Sequence, residues 1–429
     1  MEIRDILHGS ISIDPFELAI IDSPYFQRLR KIKQLGFAEI PFPTATHNRF
    51  IHSIGAMQVA SEAFDSIFSL KREIRLSPQS YSRFRQVVRL AALLHDIGHG
   101  PLSHTTEIAM PSVKDLHLPA ELQYKERQAT HEDYTLKMIL DSGLTSLIER
   151  AGEEGGFRPI HVAALVSPKI QVQDSFFFDH PVDFRPILQQ LISSELDADR
   201  MDYLRRDSAQ TGVSYGQFDF AWLAGHLTSH IHNGKCYLAL EHRALYALED
   251  FLISRFHMFL MVYFHHKTVI YDEMLAQYFG SPDCSYFLPA DIEEYCRSND
   301  AQLYAHLEAS SNPWAKRIIE KRPYRMLIEL HSGIRATHSS KIDQLKLLAQ
   351  IKKELKMKEI HSLTATSTSE LSKYFKRPGD PIFVYYDNHY SPPQFIPLQE
   401  CTNLFERYQE KRSITRLYVS PEDYPYLKG

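Results

Sequence analysis

Four residues from three well-separated parts of the chain, His52, His95-Asp96 and Asp199, have the side-chain types that hold a divalent cation. The densest part of the pattern is Leu94-His95-Asp96-Ile97-Gly98-His99-Gly100-Pro101-Leu102-Ser103-His104. The run before it, Val87, Val88, Leu90, Ala91, Leu93 and Leu94, has the apolar density of a buried helix, so His95 and Asp96 should end that helix at or near the interior. An unpartnered carboxylate there is costly, and a cation offsets the cost. Gly98, Gly100 and Pro101 then stop the helix and turn the backbone, which brings His99 and His104 towards the same spot. His52 precedes Ile54, Met57, Ala60, Phe64 and Phe68 at helical spacing and should open a core helix. Asp199 shares a stripe with Leu188, Ile192, Leu196 and Tyr203, as expected if one helix runs through them. Two imidazoles and two carboxylates suit manganese, iron, cobalt, nickel or zinc better than an all-oxygen magnesium site.

Each residue alone has an ordinary reading. A single His-Asp dipeptide usually signifies nothing, and Asp199 beside Asp197 and Asp202 could be a solvated residue of a charged helix. The joint pattern is hard to assemble by chance. Around it lie groups suited to phosphate-ester hydrolysis, which needs an activated water, neutralised phosphoryl charge and a proton for the leaving group. Arg49, Arg200 and Lys267 can share the charge of a polyphosphate, and His131 titrates in the range of a general acid. Thr130-His131-Glu132-Asp133 also reads as a helix cap with acids in the first turn; both readings can hold together.

Taken together, these segments resemble the HD-domain phosphohydrolases, and within them the deoxynucleoside triphosphate triphosphohydrolases of the SAM-and-HD-domain type. The likeness begins at Asp22-Ser23-Pro24-Tyr25-Phe26-Gln27-Arg28-Leu29-Arg30-Lys31-Ile32-Lys33-Gln34-Leu35-Gly36 and continues through Thr46-His47-Asn48-Arg49-Phe50-Ile51-His52-Ser53-Ile54-Gly55. With the segments around His95, His131 and Asp199 it covers about the first half of the chain. The resemblance implies that His52, His95, Asp96 and Asp199 hold the metal. It implies that Arg49, His99, His104, Glu107 and His131 handle the phosphate and the catalytic proton, with His104, Glu107 and His131 delivering or orienting that proton. Tyr203 and Asp207 match residues that touch the nucleotide sugar, and Gln34 and Leu35 match those that test for a missing 2′-hydroxyl. Arg200 stands where the animal branch has lysine, which keeps the charge but changes a point to a planar fork. Arg255, Tyr263, His266 and Lys267 resemble substrate-side residues. Asp22, Gln27 and Arg30 match positions that read an activating guanine nucleotide such as dGTP between subunits, although Met1 stands where the family has a nearby lysine. The implied protein is a homo-oligomer, dimer or tetramer, that uses a divalent metal (Mn, Fe, Co, Ni, Zn or Mg) to convert a dNTP to deoxynucleoside and triphosphate. A phosphodiesterase or phosphatase acting on another nucleotide shares the metal residues, and so does a nucleotide-binding regulator without turnover; the full ligand set argues against the regulator.

Positioning such residues requires a large core, and 429 residues with 44% hydrophobic and 24% charged side chains can supply one with an appendage. Helical patterning fills the first two thirds. The exception is 231–240, where Asn233-Gly234 precedes an alternating run and predicts a hairpin. A long helix is predicted over 244–279. After Ser332 come an amphipathic helix at 341–348, a polar run at 364–369 read as a boundary or exposed loop, and strands at 381–386 and 414–419. The expectation is a mainly α protein: an HD-domain helical core over 1–331 and a small C-terminal α+β subdomain over 332–429.

A net charge of −5 gives no basic signal for nucleic acid, and the lysines of 352–358 read as a solvated helix face. Cys236, Cys284, Cys296 and Cys401 lack paired spacing and fit free thiols in a reducing cytosol. Charges at Glu2 and Arg4 argue against an export signal, and the apolar run 258–264 is far shorter than the ~20 residues a bilayer requires. A cytoplasmic enzyme without a membrane partner is expected.

Overall fold

A computed structural model of the chain describes residues 1–119, 122, 126–332, 341–371, 380–407 and 411–427. The protein is mainly α. The two helices that the apolar patterning predicts most strongly, Arg49–Ile67 and Pro78–Leu94, pack on one another at the centre. Asn48 starts the first by accepting from the Ile51 amide, and Ser77 with Pro78 starts the second. Arg49–Ile67 is buried on nearly every side because the Ala198–Thr211 helix covers another of its faces. A single apolar stripe is therefore not what this helix needs.

Asp199 reaches this core differently from the expectation of one continuous stripe. The chain forms two helices, Arg185–Ile192 and Ala198–Thr211, and Asp197 caps the second by accepting from the Arg200 amide at 2.9 Å. Its other oxygen accepts from the Ser194 amide at 2.9 Å, so this capping carboxylate holds both sides of the break. Asp199 consequently lies in a first helical turn. The predicted 244–279 helix is likewise interrupted: Leu245–Met258 passes into a π-helical turn, Phe259–Tyr263, and His265 is extended before His266–Phe279 resumes.

The Asn233-Gly234 hairpin forms as predicted between Leu227–His232 and Lys235–Glu241. A second hairpin at the amino terminus, Glu2–Asp5 with Gly9–Ser12, is too short to show an alternating pattern. Lys235–Glu241 also pairs in parallel with Phe383–Tyr386, so one sheet spans the helical core and the C-terminal part. In that part a three-stranded antiparallel sheet places Arg412–Val419 between Arg325–Ser332 and Ser362–Ser369. The 364–369 run is therefore strand rather than exposed loop. Its threonines are β-branched strand formers, and Leu363 and Ala365 alternate inward between them. Buried Leu348 and Leu355 of Lys341–Met357 join Leu417 and Val419 in a small satellite core. The predicted boundary at 331/332 lies at the end of Arg325–Ser332, and 333–340 lie outside the described residues. No helix among the described residues is long and apolar enough to cross a membrane.

Close approach to the central helices is made possible by glycine. A Cβ on Gly98 would stand 2.1 Å from the His131 carbonyl oxygen and 2.4 Å from the Thr135 amide nitrogen, both of them backbone atoms. Gly98→Ala should lower unfolding stability by about 1–3 kcal/mol in urea titration. Gly225→Ala, where nothing lies within 4 Å of the added carbon, should change it by less than ~0.5 kcal/mol.

Candidate functional site

His52 from the first turn of Arg49–Ile67, His95 and Asp96 from the end of Pro78–Leu94, and Asp199 from the first turn of Ala198–Thr211 converge on one point. His52 Nε2 lies 3.0 Å from Asp199 Oδ1 and 3.7 Å from Asp96 Oδ2. His95 Nε2 lies 3.4 Å from Asp199 Oδ1 and 3.5 Å from Asp96 Oδ1. The two rings are nearly perpendicular, with centroids 5.4 Å apart. Both Nε2 atoms are buried without a well-formed hydrogen bond. His95 Nδ1 donates to the Ala92 carbonyl at 2.7 Å, which leaves the lone pair on Nε2. His52 Nδ1 contacts Asp202 Oδ2 at 2.9 Å, so its Nε2 also faces the cluster. Two orphaned imidazole nitrogens opposite two carboxylates fit a divalent cation. With protein groups alone, burial opposes a charge on His52, but the nearby carboxylates of Asp199 and Asp202 outweigh burial and push its pKa up to about 10.

Asp202 was not singled out from the sequence as functional, yet it is the best-satisfied carboxylate of the site. Oδ2 accepts from His52 Nδ1 and from Arg206 Nε, each at 2.9 Å. Oδ1 accepts from Arg206 Nη2 at 2.9 Å and lies 2.7 Å from His8 Nε2. Arg206 in turn donates to Asp5 at 2.8 Å, so the amino-terminal hairpin is joined to the ligand cluster. The readable signal was the i, i+4 Asp202/Arg206 spacing on a helix already placed against the core.

Beside the cluster, His99 stacks on His131 with centroids 3.8 Å apart, and its Nε2 is 3.3 Å from Asp96 Oδ1. Burial, followed by the charges of Arg49 and His131, holds His99 well below the usual imidazole range. Glu107 Oε1 joins His131 Nδ1 by a short hydrogen bond and His104 Nδ1 at 3.1 Å. Burial raises the Glu107 pKa, but these two partners outweigh it and bring it down to about 2. His131 is also the first residue of its helix, behind a Thr130/Asp133 capping box, so the structural reading of this motif accompanies its placement here.

A cavity of about 610 Å³ opens onto these groups. Of the residues expected at the substrate, Gln34, Leu35, Arg49, Arg200, Tyr203, Asp207, Tyr263 and Arg255 line it, together with His99, His104 and His131. Arg49 donates to Ser103 Oγ at 2.9 Å and makes a short ion pair with Asp96. Arg200 Nη1 lies 3.1 Å from Glu195 Oε2. Asp207 accepts from the Tyr263 hydroxyl at 2.8 Å and lies 2.7 Å from His47 Nε2. His266 and Lys267 are not in the lining; the His266 carbonyl instead accepts from Tyr418. Asp22, Gln27 and Arg30 also lie elsewhere: Asp22 ends the Pro15–Ile21 helix, while Arg30 donates to Gln27 at 2.8 Å and covers the Phe50 ring. Sequence reasoning did not single out Phe259, Thr105, Thr268 or Asp272, all of which line the cavity.

Residues 49–167 match the HD domain model and residues 224–360 the HD associated region. An uncharacterized protein of Methanocaldococcus jannaschii is 31% identical over 326 residues, which is 76% of this chain and 59% of that protein. Human deoxynucleoside triphosphate triphosphohydrolase SAMHD1 is 33% identical over 235 residues, covering 51% of this chain and 34% of its own length. An uncharacterized Bacillus subtilis protein is 33% identical over 62% of this chain and 52% of its own. The chain thus spans a little over half the length of the first of these curated relatives. A crystal structure of a hypothetical protein from Aquifex aeolicus aligns with TM-score 0.74 at 26% identity, over 100% of this chain and 98% of that one. A phosphohydrolase from Bacteroides thetaiotaomicron shares the fold, with TM-score 0.67 at 24% identity over 98% and 99% of the two chains.

Asp202→Asn removes an acceptor from His52 and should weaken manganese binding about 10–100-fold in titration calorimetry while leaving the helical circular-dichroism signal in place. The depressed Glu107 pKa implies stability that is fully present above about 4.5 and lost as pH falls towards about 2. Glu107→Gln should flatten that part of the acid-unfolding curve; an unchanged curve would contradict the assigned interaction.

Proposed function

We propose that the chain, whose residues 49–167 match the HD domain model and 224–360 the HD associated region, is a phosphohydrolase that hydrolyses deoxynucleoside triphosphates to deoxynucleoside and triphosphate. The observation that carries this reading is one cavity lined by cation-binding carboxylates, by arginines suited to a polyphosphate and by a Tyr203, Asp207 and Tyr263 wall suited to a sugar. His52, His95, Asp96 and Asp199 would hold a divalent cation, whose charge would make a water more acidic and offset the negative charge of the phosphoryl oxygens. The His/carboxylate set favours manganese, iron, cobalt, nickel or zinc over magnesium.

The protein groups divide the remaining work. Arg49 is oriented by Ser103 and Asp96, and with Arg200 it binds the negative oxygens. Ionised Glu107 accepts a hydrogen bond from His131 Nδ1–H, so His131 can hold a second proton on Nε2 for the departing sugar oxygen. Stacked His99 stays neutral beside it and adds no competing charge. Asp207, oriented by His47 and Tyr263, can accept from a sugar hydroxyl. Gln34 and Leu35 line the cavity, and the buried, unpartnered Gln34 Oε1 supports the reading that this pair tests for a 2′-hydroxyl. Homo-oligomeric assembly with dGTP bound at Asp22, Gln27 and Arg30 extends the same reading, supported by the motif likeness alone.

Incubation with dGTP and manganese should yield deoxyguanosine and triphosphate on anion-exchange chromatography. Release of dGMP or of inorganic phosphate alone would instead favour the phosphodiesterase or phosphatase reading. His95→Ala and Asp199→Ala should each lose bound metal and turnover while retaining most of the helical signal; activity in either variant would contradict the ligand assignment.

A further inference from the structure

Away from the ligand cluster, the His266–Phe279 helix presents Thr268 and Asp272 to the cavity. They are four residues apart and therefore share a helical face. Thr268 is 6% exposed, and its hydroxyl is buried without a hydrogen-bond partner. Asp272 has one observed partner, the Thr105 hydroxyl, which donates to Oδ1 at 2.9 Å. Among the described residues no cation offsets its charge: burial pushes its pKa up to about 7, the Thr105 bond lowers it and Glu273 raises it. A half-buried carboxyl with one hydroxyl partner, and a buried unpaired hydroxyl one turn away, both leave hydrogen-bonding capacity for a ligand to fill.

We propose that Thr268 and Asp272 form a base-reading edge of the cavity and that the base they read is guanine. The inference rests on the nucleotide reading of the site and names its preferred substrate. Guanine presents an O6 acceptor next to the N1–H and N2–H donors. A threonine hydroxyl can donate to the first, and a carboxylate can accept from both of the others. Adenine and cytosine place a ring-nitrogen lone pair beside their amino group, and thymine flanks its single N–H with two carbonyls. Each of these can pair with the hydroxyl and one carboxylate oxygen but leaves the second oxygen without a donor, whereas guanine supplies donors to both, the second lone pair of Oδ1 included. Thr105 orients the carboxylate through Oδ1 and leaves Oδ2 with no observed protein partner. A site built around such donors rejects bases lacking them, because its own buried polar groups are then left unpaired.

The test compares wild type, Asp272→Asn and Thr268→Val. It measures kcat/KM for the four dNTPs with manganese, and calorimetric binding of dGTP and dATP to the same intact proteins after chelation of metal. Wild type should favour dGTP over dATP by about tenfold or more in binding. Asp272→Asn should bring that ratio within about threefold of unity, and Thr268→Val should reduce it in the same direction. An unchanged ratio in Asp272→Asn, or a wild type without guanine preference, overturns the proposal. Should Asp272→Asn fail to fold, the Thr268→Val ratio decides in the same manner. Guanine preference that depends on Asp272 without hydrolysis would retain this inference and reject the triphosphohydrolase reading. Hydrolysis of all four dNTPs at ratios independent of Asp272 would do the reverse.

Discussion

A carboxylate buried at zero exposure must have its lone pairs filled, and meeting that requirement at Asp202 organises the centre of this protein. Four contacts reach its two oxygens: one from the Arg49–Ile67 helix, two from its own helix and one from the amino-terminal hairpin. The helices must be close for this to happen. A Cβ on residue 55 would stand 2.1 Å from Asp202 Oδ1, so Gly55 is the residue that makes room. The carboxylate fixes the orientation of His52 and directs its other nitrogen at Asp199. A packing constraint and a ligand geometry are thus satisfied by the same set of bonds.

Charge is distributed around the cavity by similar pairings. Asp96 sits among His95, Arg49 and His99, which hold it in the ionised form despite burial. Such buried pairs are weak evidence for net stability, because desolvation opposes the attraction between their charges. Their clearer consequence is position. Swinging Arg49 away would break both its ion pair with Asp96 and its hydrogen bond to Ser103, so its guanidinium remains beside the His/Asp cluster. Glu107 does the corresponding work for His104 and His131, with an ionised carboxyl between two imidazoles.

What could be read from the sequence was local chemistry supported by a strong pattern. The apolar run before His95, the helix after His52 and the Asn233-Gly234 turn each carried their own signal, and each occurs at the expected position. The break at 193–197 was hidden because Leu188, Ile192, Leu196 and Asp199 happen to continue a helical spacing; the competing signal was Asp197 as a cap. Ser362–Ser369 was hidden by polarity, since hydropathy does not distinguish a threonine strand from a loop although β-branching does. The partners of Asp202 were less accessible still. His8 lies 194 residues away in a hairpin of four-residue strands, and only the fold brings it near.

The interruption of the 244–279 helix has a geometric consequence for the cavity. Tyr263 and Asp272 are nine positions apart, so at about 100° per residue an unbroken α-helix would turn them through roughly 900°, placing them on opposite faces. Both nevertheless line the same space. The π-turn over Phe259–Tyr263 and the extended His265 reset the phase between the two helical segments. Tyr263 then meets Asp207 while Asp272 meets Thr105. A wider turn with weaker backbone pairing costs stability compared with regular helix, but regular helix would turn one of these side chains away from the cavity.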